Sequence, residues 1–431
     1  MAMTASMDGV LGFFRSFRER KARRVILGNF LSLTFLQYAS YIFPLLTVPY
    51  LTRVIGVERF GLVAFSQAFV SYFAVLVNYG FSFTATRQVA IERENKDRLR
   101  EIFSQVIWAK MMLAALGFLL MIGFALLLPQ YRAEFRVFLA SYTVVVGGVI
   151  SSEWFFQGIE EMKYTTIAGL TARGITTVLL FLLVKSRADF LYVPVLYGLG
   201  IFCGGGFGQY IIWRKLRIVI GRPDLPGIWK QLREGWDTFL SCAFVSLYTT
   251  SNAFFLGLMT NTTQVGYYAA GEKVVTGLRS LWGPVPQVLY PHFSKVFSHD
   301  VAKGKRQLRK VLGIAGAVTL LLSLVGCLAA PFIVRVYLGA NFQHSTRIIQ
   351  VLVFTIFAIG ISNILGVQGL LANGMNAVFR NIVLFSAVQN IVLLFIFVRV
   401  YGAIGTAISV LIVECTIVLV QWVVLRRRKL I

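Results

Sequence analysis

Four basic side chains stand where a bilayer would surround them: Lys110, Arg173, Lys273 and Arg279 each lie inside a long apolar run. A Lys or Arg at the centre of a membrane helix costs about 2.5–3.5 kcal/mol on insertion scales, so four cost about 10–14 kcal/mol before compensation. Lys110, Arg173 and Lys273 lie about eight residues into their runs, roughly 12 Å by helix rise, a long way for a side chain to snorkel. Arg279 sits near the middle of its run. Such groups must face protein, water or an anionic ligand. One chemistry open to them is to line a cationic lumen that draws an anionic substrate through the membrane. The other is static pairing with the buried carboxylates Glu153, Glu272 or Glu414. Glu272 and Arg279 share a helix face but are too far apart for direct contact on a straight helix. The residues leave both readings open.

Weaker signals accompany the cations. Gln67, Ser71, Asn78 and Ser82 share one helical face. Asp237, Ser241, Tyr248 and Asn252 share another, and Gln37 with Tyr41 a third. Each stripe suits either a cavity wall or helix–helix hydrogen bonding. A buried carboxylate can titrate near neutral pH, which makes Glu272, Glu414 and Glu153 candidates for coupling to H+ or Na+. No other cofactor is expected.

Other chemistries lack their residues. No G-x-x-x-x-G-K-[ST] sequence occurs, so ATP hydrolysis has no phosphate loop. The glycines Gly204, Gly205, Gly206 and Gly208 sit within an apolar run and read as a close-packing or kink site. His292, His299 and His344 are scattered, which supports neither a zinc site nor a histidine-based triad. Cys203, Cys242, Cys327 and Cys415 are isolated within apolar runs and read as small buried side chains.

The elements that must position the cations are membrane helices. The chain has 431 residues, 57% hydrophobic and 14% charged, where a soluble domain carries roughly 25% charged residues. Twelve spans are expected, at about 25–51, 60–86, 102–128, 135–156, 165–184, 191–213, 236–259, 266–292, 311–336, 347–372, 381–399 and 404–425. About 29 of the 42 Lys and Arg fall in the N-terminus, alternate loops and the tail, and about nine in the other loops. That asymmetry puts both termini in the cytoplasm and accounts for the net charge of +24 without a nucleic-acid partner. Near the start, Phe13, Phe14 and Phe17 interleave with Arg15, Arg18, Arg20, Lys21, Arg23 and Arg24, an amphipathic segment suited to anionic membrane lipids.

The expected organisation is a basic segment 1–24, a six-helix lobe 25–213, a cytoplasmic linker 214–235 with Pro223 and Pro226, a second six-helix lobe 236–425, and a basic tail 426–431. An internal repeat supports the two lobes. Leu51 and Gly61 flank the first outer loop, and Leu256 and Gly266 flank the fourth, at an offset of about 205 residues. Gln157-Gly158 and Met162 ahead of Phe181–Lys185 are echoed by Gln368-Gly369 and Met375 ahead of Phe395–Arg399. Six spans per half make the halves parallel, related by an axis along the membrane normal with a cleft between them. Pro44, Pro49, Pro284 and Pro286 mark bends. The polar turn with Glu160, Glu161 and Lys163 reads as a solvated loop between the fourth and fifth spans.

The stretch Pro49–Gly61, "PYLTRVIGVERFG", and the stretch Trp154–Met162, "WFFQGIEEM", resemble the patterns P-Y-L-[ST]-R-x-[IL]-G-x-x-x-[FY]-G and W-x-[FY]-Q-G-x-E-x-[MF] of the Wzx-type flippases of bacterial polysaccharide synthesis. "Gly266-Tyr267-Tyr268…Glu272-Lys273" is similar to the family's second-half counterpart. The likeness covers nearly the whole chain. It implies the multidrug/oligosaccharidyl-lipid/polysaccharide exporter superfamily, with two six-helix bundles around a central cavity that opens alternately inward and outward. The implied cargo is an undecaprenyl-diphosphate-linked oligosaccharide repeat unit, moved from the cytoplasmic to the periplasmic leaflet of the bacterial inner membrane. A polysaccharide polymerase and a chain-length regulator are the partners this pathway would supply. Lipid II flippases usually carry two further C-terminal helices, which twelve spans argue against. Two alternatives stand beside this reading. One is a drug or metabolite antiporter on the same architecture, which for cationic drugs would need an acidic lumen. The other is a membrane polymerase or ligase, which would need a large external loop.

Overall fold

The computed structural model describes residues 42–431 apart from 128–131, 133, 281, 283 and 429; it also leaves out the side chains of 125, 126, 247–249, 284, 285, 287, 288, 291 and 292. The basic N-terminal segment, Gln37, Tyr41 and the Tyr248 side chain therefore lie outside the described residues. Among those described, the chain is helical with no strand, and eight helices are long and apolar enough to cross a membrane, or nine with the bent pair Leu225–Ser246 and Thr250–Met259 taken as one span. Their outward faces carry side chains such as Leu328 and Phe332, exposed as contact with lipid tails requires.

The first lobe is built from α1 (Ile42–Asn78), α2 (Thr84–Ile91), α3 (Lys96–Leu127), α4 (Phe135–Val149), α5 (Glu153–Gly158), α6 (Met162–Leu183) and α7 (Tyr192–Ile211). The second holds α8 (Leu225–Met259), α9 (Thr262–Ser280), α10 (Pro284–His299), α11 (Val301–Ile333), α12 (Ser345–Leu352), α13 (Phe354–Asn363) and α14 (Asn376–Arg427). Packing within the first runs mainly through α6 on α7 and α4 on α7. Within the second it runs through α11 on α13, α9 on α12, and α14 on α8 and α13.

Two of the long helices are hairpins. In α1, Gly56 takes φ +74°, and Phe43, Pro44 and Thr47 line the same cavity as Ala74 and Asn78. A straight helix would hold Pro44 and Ala74 roughly 45 Å apart. In α14, Gly402 has φ 56° and ψ −130°, and Gln389 Nε2 donates to Thr416 Oγ1 across the fold at 3.0 Å. Positive φ at each reversal suits a residue without Cβ. Each hairpin thus covers two of the twelve expected spans. The expected eighth span maps to α9 and α10 and is not among the eight apolar helices, because it carries Glu272, Lys273 and Arg279.

The repeat offset reappears as a contact. A Cβ on Gly61 would stand 1.8 Å from Thr262 O and 2.5 Å from Gly266 N; one on Gly266 would stand 2.3 Å from Val57 O. Positions 57 and 262, like 61 and 266, are repeat equivalents. The contact is reciprocal, as across a two-fold axis, and only glycine admits it. Phe65 and Phe69 stack on Phe254 alongside, with ring centroids 5.8 and 5.7 Å away.

The expected linker is partly helix. Residues 225–235 form the first turns of α8, with Pro226 near its start, where proline's missing N–H costs nothing. These turns lie on the first lobe: Gln231 Nε2 donates to Gln88 Oε1 at 2.8 Å and Gln105 Oε1 at 3.1 Å, and Gln105 Nε2 donates to Asp224 at 3.0 Å.

Candidate functional site

The first cluster of polar groups follows from a broken helix. The span Phe135–Gly158 stops being helical at residues 150–152 and resumes as α5, whose first residue is Glu153. A carboxylate in a first turn suits the positive end of the helix dipole. Glu153, itself exposed, lines an open cavity of about 480 Å³ whose wall comes from the first lobe, with Asn78, Ser151, Arg173, Thr176 and Tyr197 among its residues. Arg173, half-buried on α6, donates through Nη1 to Gly169 O at 3.1 Å. The Glu153 carboxylate acts electrostatically on both Arg173 and Lys110.

Glycines make room for this cavity. Gly204 approaches Ala168 O and Gly205 approaches Ile150, each closely enough that a Cβ would clash, at 2.5 and 2.8 Å. The glycine run on α7 is a packing surface, and Gly204, Gly205 and Gly208 form part of the cavity wall.

A second cluster lies in the other lobe. Asn390 Nδ2 on α14 donates to Asn252 Oδ1 on α8 at 3.0 Å. Tyr268, fully buried on α9, stands close to Asn252 and to Glu272 one turn further along the helix. The charges of Lys273 and Arg279 act on the same carboxylate. Arg279 is exposed in the last turn of α9, where a cation favours the helix terminus. Lys273 reaches a void of about 20 Å³ that it shares with first-lobe residues Gln67, Val48 and Tyr197.

The sequence candidates therefore separate. Arg173, Glu153 and Asn78 share the first-lobe cavity, while Glu272, Lys273, Arg279 and Asn252 gather in the second lobe with Gln67 facing them. Lys110 lies behind the cavity wall, 2% exposed, with Nζ donating to Gly148 O and Ser151 O at 3.3 Å each. Asp237 is exposed on α8 and Glu414 is buried on the second arm of α14, neither in either cluster. The ion pairs within 4.0 Å among the described residues are Arg59–Glu134, Arg93–Glu160, Arg98–Glu101, Lys163–Glu161 and Lys230–Glu234. None uses a membrane cation. The structure adds Tyr268, Asn390 and Gln209. Tyr268 could have been found from its spacing to Glu272, four residues on; Asn390 and Gln209 could have been found as lone amides in apolar runs.

The model of a family described as "Polysaccharide biosynthesis protein" matches residues 26–297. A protein named "Putative O-antigen transporter" from Escherichia coli (strain K12) is 28% identical over 403 residues, covering 94% of this chain and 97% of the relative. Among solved structures, the fold is similar to an inward-facing multidrug resistance MATE family transporter of the MOP superfamily, with TM-score 0.69 and 13% identity over 93% of this chain and 98% of that one. It is also similar to the lipid II flippase MurJ in an inward closed conformation, with TM-score 0.62 and 12% identity over 93% and 87% of the two chains.

Proposed function

The chain belongs to the polysaccharide biosynthesis protein family, and from that premise we propose that it is a flippase for undecaprenyl-diphosphate-linked oligosaccharide repeat units. It would carry them from the cytoplasmic to the periplasmic leaflet of the bacterial inner membrane, with both termini in the cytoplasm. It is a membrane transporter, not an enzyme. The lipid tail stays in the bilayer while the polar head crosses between the lobes, which replace the water the head must shed.

The observation that carries this reading is that Arg173, Lys273 and Arg279, on segments read as membrane spans, have no carboxylate at ion-pairing distance among the described residues. A guanidinium or ammonium left without a salt-bridge partner in a low-dielectric setting binds a diphosphate strongly. Glu153 tempers Arg173, so the cavity attracts an anion without trapping it. Coupling to H+ or Na+ falls to Glu272, Glu414 or Glu153, with a polymerase and a chain-length regulator acting on the product. In a strain dependent on this chain, Arg173→Ala and Arg279→Ala should each cut surface polysaccharide at least tenfold while the protein still reaches the membrane. Undiminished polysaccharide in both variants would sink the proposal.

A further inference from the structure

Residues 150–152 open a gap in the backbone ladder of a membrane span. Inside hydrocarbon every carbonyl exposed by such a gap needs a donor, because no water can supply one. Ile150 O is served by Gln209 Nε2 at 2.9 Å and by Ser152 Oγ at 3.2 Å. Gly148 O and Ser151 O, either side of it, converge on Lys110 Nζ. That ammonium comes from α3, across the lobe, and is 2% exposed. Its surroundings are two main-chain oxygens at the end of a half-helix and the field of the Glu153 carboxylate. Carbonyls at the C-terminal end of a broken membrane helix, with an acid nearby, are the ligand set with which transporters hold a free alkali ion.

We infer that Lys110 is a tethered cation: its ammonium occupies the place a monovalent ion would take at this break. It is a positioning residue, which holds Gly148 and Ser151 so that Glu153 faces the cavity. Because the charge is covalently attached, the site is filled whatever the ion concentration. The first-lobe break is therefore preformed, and no free alkali ion is needed to hold its carbonyls. The inference is independent of the cargo.

The test uses the full chain purified in detergent, with thermal unfolding followed in choline chloride and in potassium or ammonium chloride at equal ionic strength. Lys110→Ala leaves an empty carbonyl site, so its unfolding midpoint should fall in choline and rise by several degrees as potassium or ammonium replaces it. Wild type and Lys110→Arg, which keeps a tethered charge, should be indifferent to the cation. Lys110→Met fills the space without charge and should be destabilised and equally indifferent. Wild-type stability of Lys110→Ala in choline would overturn the inference. So would a cation response equal in Lys110→Met, or a Lys110→Ala chain that no salt restores.

Discussion

Tyr268 is buried beside Asn252 and Glu272. Tyr268→Phe removes a buried hydroxyl beside Glu272 and Asn252, at a cost of about 1–3 kcal/mol. A lower unfolding midpoint with the fold retained is the expected result; an unchanged midpoint would mean the hydroxyl contributes nothing. Glu272→Gln keeps the shape but removes the titrating group. In proteoliposomes it should abolish pH-gradient-driven flipping, and indifference would move coupling to Glu414. At this scale the sequence was readable where charge interrupts an apolar run, which is how the cations and carboxylates came to notice. The role of Lys110 was not readable. It depends on a helix break in "GGVISS" (147–152), a run without proline that looks like uninterrupted span.

The hairpins show how much of each element was legible. Apolar runs separated by short polar stretches placed α1 and α14 as paired spans, since period and length are local properties. The helical start of α8 was not legible, because Pro223 and Pro226 read as breakers although a proline near a helix start is tolerated. Its docking on Gln88 and Gln105 depends on distant partners. The backbone contact between α1 and α9 carries its own prediction. Gly61→Leu would drive a side chain into Thr262 O, a main-chain atom that cannot swing aside. The lobes should part at that end, and a cysteine at position 51, which in wild type is a leucine 2% exposed, should become reactive to a water-soluble maleimide once the native cysteines are replaced by serine. Protection equal to that in the Gly61 chain would show that the lobes close without this contact.

For the whole molecule, the charge distribution predicts sidedness. Cysteines placed in 157–164 and 373–380 should be labelled from the cytoplasmic side, and labelling of either loop from outside would overturn the topology. The repeat offset was visible along the chain, but that positions 61 and 266 touch was not, because contact between repeats is set by how the halves are laid together. Residue 61 against 262, and 266 against 57, is what two copies of one half-length protein would make on meeting across a two-fold axis. The two halves of the present chain thus meet as two like subunits would, with glycine on each side of the contact. Halves that meet in this way should also be separable. Chains severed within 217–224, the non-helical stretch before α8, should reassemble from separately expressed halves, and failure of the halves to copurify would show that the covalent link is needed to hold the lobes together.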